Sequence, residues 1–176
     1  MLSRTITFVL EEKVQGAVGR TEHLVSLVPA DRLNWRPDPA NEEICEVIDL
    51  GHLLGHLLDC MAGFCAAFLA AYPKELAEFV KLKSARVNHF CTPREWKERI
   101  GIYKEGIAKG FQLCTDEDLK RPIATIFMPK GEVLGSILLN NLEHVLNHKY
   151  QLFFYLRLLG VFVGTEDLYD LKKAPR

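Results

Sequence analysis

From Ile44 to Tyr72 the chain is apolar around most of the circumference of a helix, and a helix of that kind has to be surrounded by others. Pro73 ends it. Three further long segments carry apolar residues on one side and are suited to do the surrounding. In the first, Thr5 to Leu27, residues Leu10, Val14, Ala17 and Leu24 fall on one helical face before Pro29. The third opens at Thr92-Pro93-Arg94-Glu95, which joins a capping threonine, a proline at the first helical position and a glutamate three residues on. Trp96, Ile100, Tyr103, Ile107, Phe111 and Cys114 then form its stripe. The fourth runs from Val133 to Leu159 and stops at Gly160.

Four long helices without a convincing set of strands predict an all-α four-helix bundle, a single domain over residues 1–176. The connections are long for a simple up-and-down bundle, so at least one crossover connection is expected. The segment Pro29–Glu43 reads as a proline-rich loop. Lys74–Leu82 reads as a short helix, Lys83–Phe90 as a polar connector, and Ile123–Glu132 as a short strand with a Pro/Gly turn. The tail from Val161 to Arg176 is expected outside the bundle or at a subunit contact.

Charge and cysteine usage narrow the function classes. The 22 basic and 23 acidic residues leave a net charge of −1, and basic residues never cluster, so nucleic-acid binding is not expected. The N-terminal stretch lacks the pattern of a secretory signal. The most apolar run, Cys60–Tyr72, is too short for a membrane span and reads as core. Five cysteines (Cys45, Cys60, Cys65, Cys91 and Cys114) make an odd number without a CxxC pair and read as reduced thiols. A cytoplasmic protein is expected.

Two histidine pairs carry the chemistry. His52 and His56 lie four residues apart on the second helix, and His144 and His148 lie four apart on the fourth. Four residues turn a helix only about 40° past one revolution, so the rings of a pair share a face and can converge on one ion. Two neutral imidazoles on the apolar side of one helix need polar partners, and a metal supplies one to each. On the second helix His52, His56, Asp59 and Cys60 are all candidates to face that pair. Asp59 also suits an outer role, and Cys60 reads equally as a small packing residue. Asn141 and Gln151 flank the fourth-helix pair and are placed to orient ligands or a water. His23 and His89 read as surface or loop residues.

At this point the chain resembles the DinB/YfiT-like family of metal-dependent four-helix-bundle proteins. The resemblance rests on Leu33-Asn34-Trp35-Arg36-Pro37, on Leu50-Gly51-His52-Leu53-Leu54-Gly55-His56-Leu57, and on His144-x-x-x-His148-x-x-Gln151 followed by the run Leu156–Val161. It implies an up-down-down-up bundle, with His56, His144 and His148 binding one divalent metal, zinc or nickel by the ligand type. His52 would take the role of His56 if the pattern were slipped by one helical turn. It also implies a small-molecule substrate, in some members a low-molecular-weight thiol used in S-transfer, and a homodimer. The loops Asn34–Glu43 and Ile123–Glu132 are expected at the mouth of the pocket. Two functions compete: a metal-dependent enzyme with open coordination positions, and a non-catalytic bundle in which a closed site merely ties two helices together.

Overall fold

The computed structural model describes residues 3–37, 48–125 and 129–169, apart from the side chains of residues 83 and 84. Four long helices build it: α1 (Thr5–Ser26), α2 (Leu50–Ala71), α3 (Pro93–Leu113) and α4 (Leu134–Leu158). A short α5 (Thr165–Leu168) follows. The two-residue strands β1 (Pro122–Ile123) and β2 (Glu132–Val133) pair antiparallel between α3 and α4.

Both α1 and α2 pack against α3 and α4, so α1 and α2 occupy opposite corners of the bundle. Side-chain contacts set the helix directions. Arg4 reaches Phe111 at 2.7 Å while Glu22 meets Lys104 at 2.8 Å, so α1 and α3 are antiparallel. Cys65 meets Tyr103, and Phe68 packs on Phe111 with centroids 4.9 Å apart, so α2 and α3 are parallel. His56 lies against His148 and Cys60 against His144, so α2 and α4 are antiparallel. The order is therefore up-down-down-up, and the chain from Tyr72 to Thr92 must travel the length of the bundle between two parallel helices. It does so through a 3₁₀ helix, Ala77–Ser84, overlapping the short helix that the sequence suggested at Lys74–Leu82.

The helix ends follow local chemistry. Asp49 caps α2 by accepting from the backbone of His52, so this helix begins six residues later than its apolar pattern does. Residues 44–47, which the pattern assigned to it, lie outside the described residues. Thr92 caps α3 through Glu95 N at 3.1 Å, as the sequence predicts. Gly160 (φ +79°) closes α4 with the paired turn bonds Val161 N to Leu156 O and Gly160 N to Arg157 O. α1 has no side-chain cap of its own. Asp116, from the loop after α3, accepts from Thr5 N, Thr7 N and Thr7 Oγ1 at 2.9–3.0 Å and from Ser3 Oγ at 2.5 Å. These bonds, that to Ser3 first, hold its carboxyl well below the usual range. Arg4 returns the favour, donating to the terminal carbonyls of α3 at Phe111 and Cys114.

The core runs between all four helices. Leu50, Leu53, Leu54, Leu57, Leu58, Met61, Phe64 and Phe68 of α2 are fully buried, as is the predicted α3 stripe from Trp96 to Phe111. Among the described residues only α2 is long and apolar enough to cross a membrane, and 67% of that stretch is buried inside the bundle. The four described cysteines are free and buried; Cys45 lies outside the described residues. α5 sits over α1 and α4, tied by Lys149 Nζ to Leu168 O (2.9 Å) and by His23 to Asp167 (2.6 Å).

Candidate metal centre

The antiparallel pairing of α2 and α4 brings three imidazoles together. His56 Nε2 lies 3.1 Å from His144 Nε2 and 3.0 Å from His148 Nε2. The ring centroids are 5.0, 4.3 and 4.7 Å apart, with interplanar angles of 70–82°, a three-bladed propeller with its nitrogen tips at the hub. His52 is not part of it. One turn earlier on α2, its ring is exposed and bonds Asp49 at 2.8 Å beside Phe90.

The far side of each ring has its own partner. For His148 the proton position follows from a chain of donors. Ile48 O can only accept, so the Tyr155 hydroxyl donates to it (3.1 Å) and accepts from Gln151 Nε2 (3.0 Å). Gln151 then turns its carbonyl oxygen to His148 Nδ1 at 2.9 Å, and Nδ1 must donate. In the neutral ring that leaves the lone pair on Nε2, aimed at the hub. His56 Nδ1 faces Asn88 Oδ1 at 3.0 Å in the same sense. His144 Nδ1 lies 3.8 Å from Cys60 Sγ.

Asn88 reaches His56 because α2 has no side chain at two positions. The chain from Asn88 to Cys91 lies against α2, with Asn88 N bonded to Gly55 O and Cys91 N to Gly51 O, both at 3.0 Å. A Cβ on Gly55 would stand 1.7 Å from His89 O. The glycine pair thus serves the site by admitting a backbone, and Asn88 adopts a left-handed conformation (φ 56°) to present its amide.

Burial, followed by the neighbouring His56, lowers the pKa of His144; burial first, then both other rings, lowers that of His148. These two rings resist protonation. The Cys60 thiol is pushed up to about 12 by burial and then by Asp59, so it is held as the thiol. It touches the outer nitrogen of His144, which suits a partner that orients the ring better than a fourth ligand.

A second group of metal-binding residue types gathers at His89, Cys91 and Glu95. His89 lies in the connector loop, within the expectation of a surface or loop residue, but it is buried there because Gly55 draws its backbone onto α2. Its Nε2 bonds Glu95 at 2.7 Å, and Arg99 holds the same carboxylate oxygen at 3.1 Å. With a guanidinium already neutralising the carboxylate, this cluster is an ion-pair junction between α3 and the connector. Much of the expected pocket mouth, residues 38–43 and 126–128, lies outside the described residues. The partners Asn88 and Tyr155 are absent from the expectations drawn from sequence. Gln151 is among them.

No family model matches the sequence, and no curated protein matches it. Among solved structures, the chain resembles a DinB-like protein, YjoA from Bacillus subtilis. The two are 18% identical, the match covers 88% of this chain and 94% of that one, and the TM-score is 0.60. At that identity the likeness speaks to the fold: this chain folds as a DinB-like helical bundle.

Proposed function

We propose that His56, His144 and His148 hold one divalent cation, zinc or nickel, and that this centre activates a small molecule at its open side. The observation that carries the reading is the approach of His56 Nε2 to 3.1 Å from His144 Nε2 and 3.0 Å from His148 Nε2 while the outer nitrogens of His56 and His148 face hydrogen-bond partners. Lone pairs so close repel unless something positive lies between them. A shared proton is one answer, but burial and mutual repulsion lower the proton affinity of His144 and His148. A metal is the other. A cation about 2.1 Å from each nitrogen spaces its ligands roughly 3.0 Å apart at right angles and 3.4 Å at tetrahedral angles. The two observed separations from His56 match the narrow end of that range, and an ion held there by His56, His144 and His148 would have coordination positions left for a small molecule.

When bound, such an ion supplies Lewis acidity that lowers the pKa of a water or thiol reaching it. The protein's own share is orientation. Gln151 and Asn88 fix the tautomers of His148 and His56, and the Cys60 thiol braces His144. For the substrate we favour a low-molecular-weight thiol whose S–H proton passes to solvent, the thiolate then forming an S–C bond to a small electrophile as that carbon's bond to its leaving group breaks and the leaving group departs with the electron pair. The free, buried cysteines suit the reducing cytoplasm in which we place the protein.

The competing reading is a closed site that only ties α2 to α4. It draws on the ligand atoms of His56, Cys60 and His144, which lie within 4.8 Å of one another. Metal analysis of untagged protein purified without chelator, beside His148→Ala, tests the proposal. One ion per chain in the parent and a large loss in the variant is expected, and equal content in both refutes it. Cys60→Ser separates the readings: unchanged metal affinity favours the open centre, and a large loss favours the closed one.

A further inference from the structure

On the side of α4 that faces α5, a buried charge stands without a counter-charge. Lys149 is only 5% exposed, and its ammonium carries three N–H donors and no acceptor. One donor goes to Leu168 O, the last residue of α5, at 2.9 Å. The ring of Tyr169, its centroid 5.6 Å from Nζ, takes a further part of the charge. No carboxylate among the described residues pairs with this ammonium. The other charge acting on it, Arg20 of α1, has the same sign. Taking an ion out of water is costly, so a buried lysine ordinarily has an anionic partner.

The same lysine lines a hollow of about 340 Å³ that opens to solvent. Ligand pockets run from about 300 to 1,000 Å³, so the space suits a small molecule. Leu146, Asn147, Lys149 and Tyr150 share one face of α4 and form one wall, and Tyr169, just past α5, forms the other. Large apolar surface is left open around the charge: Leu146 is 40% exposed, Tyr150 45% and Tyr169 55%. Asn147 adds an amide that has no hydrogen-bond partner among the described residues. His148 lies between these residues in sequence but turns to α2, so the hollow is separate from the metal centre.

We infer that the hollow between α4 and Tyr169 binds a small aromatic carboxylate. Its carboxylate lies on the Lys149 ammonium and the Asn147 amide, and its ring lies against Leu146, Tyr150 and Tyr169. Each part of the ligand answers one feature of the site. A bare inorganic anion neutralises Lys149 but leaves the two tyrosines and the leucine in water. An uncharged aromatic covers those walls but leaves the ammonium without a counter-ion. A carboxylate on a flat ring does both, gains a charge-assisted hydrogen bond, and adds ring contacts beyond simple area burial.

Two-dimensional NMR titration of the full chain with benzoate tests this, beside benzamide, cyclohexanecarboxylate and the variants Lys149→Met and Asn147→Asp. Saturable shifts confined to Leu146–Tyr150 and Tyr169 are expected in the parent, and they should persist after a chelator has stripped any metal. Lys149→Met should weaken benzoate at least tenfold. So should Asn147→Asp, which sets a carboxylate beside Lys149 at an exposed position where folding is not at stake. Benzamide, without the charge, should also bind at least tenfold more weakly, and cyclohexanecarboxylate, without the flat ring, several-fold. Benzoate that fails to saturate in the millimolar range overturns the inference, and so does equal affinity in the parent and Asn147→Asp. Binding that vanishes with chelator yet survives in Lys149→Met puts the carboxylate on the metal centre; it overturns this inference and leaves the metal reading standing. A chain ended at Tyr169 that binds benzoate where the parent does not overturns it in favour of residues 170–176 as the occupant.

Discussion

Replacing Gln151 by leucine removes the acceptor that holds the proton on His148 Nδ1 while keeping the volume of the side chain. In the parent, that proton is fixed by the relay from Ile48 O through Tyr155 and Gln151, with links of 3.1, 3.0 and 2.9 Å. Without the amide, Nδ1–H is left in a half-buried position with no acceptor, at about 1–3 kcal/mol. The ring can relieve this by moving its proton to Nε2, which points that proton into the hub and removes a ligand lone pair. Either route weakens metal binding, and loss of such an outer partner typically costs about 10–100-fold in affinity, or roughly 1.4–2.7 kcal/mol. Tyr155→Phe acts one link further out and should cost less in the same direction. Gln151→Glu keeps an acceptor and should retain or strengthen binding. Competition against a chromophoric chelator measures all three, and the ¹⁵N imidazole spectrum of the metal-free proteins reads the tautomer. Affinity for Q151L within twofold of the parent, with His148 still protonated at Nδ1, would refute the relay.

Gly55→Ala places a methyl 1.7 Å from the His89 carbonyl, so the Asn88–Cys91 backbone must leave α2; we expect a large fall in melting temperature and loss of the metal site. Gly51→Ala meets only the edge of the Phe90 ring at 2.5 Å, which can rotate, and should be milder by the same melting assay. In metal-free protein the lowered pKa values of His144 and His148 mean that the unfolded chain takes up protons near pH 6.5 that the folded chain refuses. Stability should therefore be fully present above about 6.5 and fall as pH drops toward the folded values, read by urea midpoints against pH. A double His144→Asn, His148→Asn variant should flatten that slope. Asp116 has a depressed folded pKa, so its capping of α1 persists above the usual carboxylate range and fails only in strong acid. Asp116→Asn should lower the melting temperature at neutral pH and blunt the acid transition in a calorimetric pH series.

The bundle was legible in sequence because its four helices each announce themselves within about 25 residues, by stripe, cap or stop. The Trp96–Cys114 stripe, the Thr92 cap and the Gly160 stop all stand where the pattern put them. Convergence of the two helical histidine faces was legible for the same reason, since spacing within one helix fixes which rings share a side. Spacing alone left His52 and His56 both open, and the choice of His56 came from the family resemblance. The difference lies in Asp49, which takes His52, and in the Gly55 gap, which brings Asn88 to His56 from 32 residues away. Asn88 sits in a polar connector with no periodicity, and its left-handed backbone leaves no mark on composition. His89 escaped for the same reason: its burial follows from glycines on another element. Asp116 caps a helix that begins more than a hundred residues earlier, and only the antiparallel packing of α1 on α3 makes them neighbours.

We have proposed that three imidazole nitrogens from α2 and α4 share one cation. Crystals grown with zinc or nickel, measured on both sides of that metal's absorption edge, test it most directly. One strong anomalous peak is expected about 2.1 Å from Nε2 of His56, His144 and His148, with Gln151 and Asn88 still on the outer nitrogens of His148 and His56. A map without a peak at that hub, or with the metal on His52 or at His89 and Cys91 instead, would contradict it.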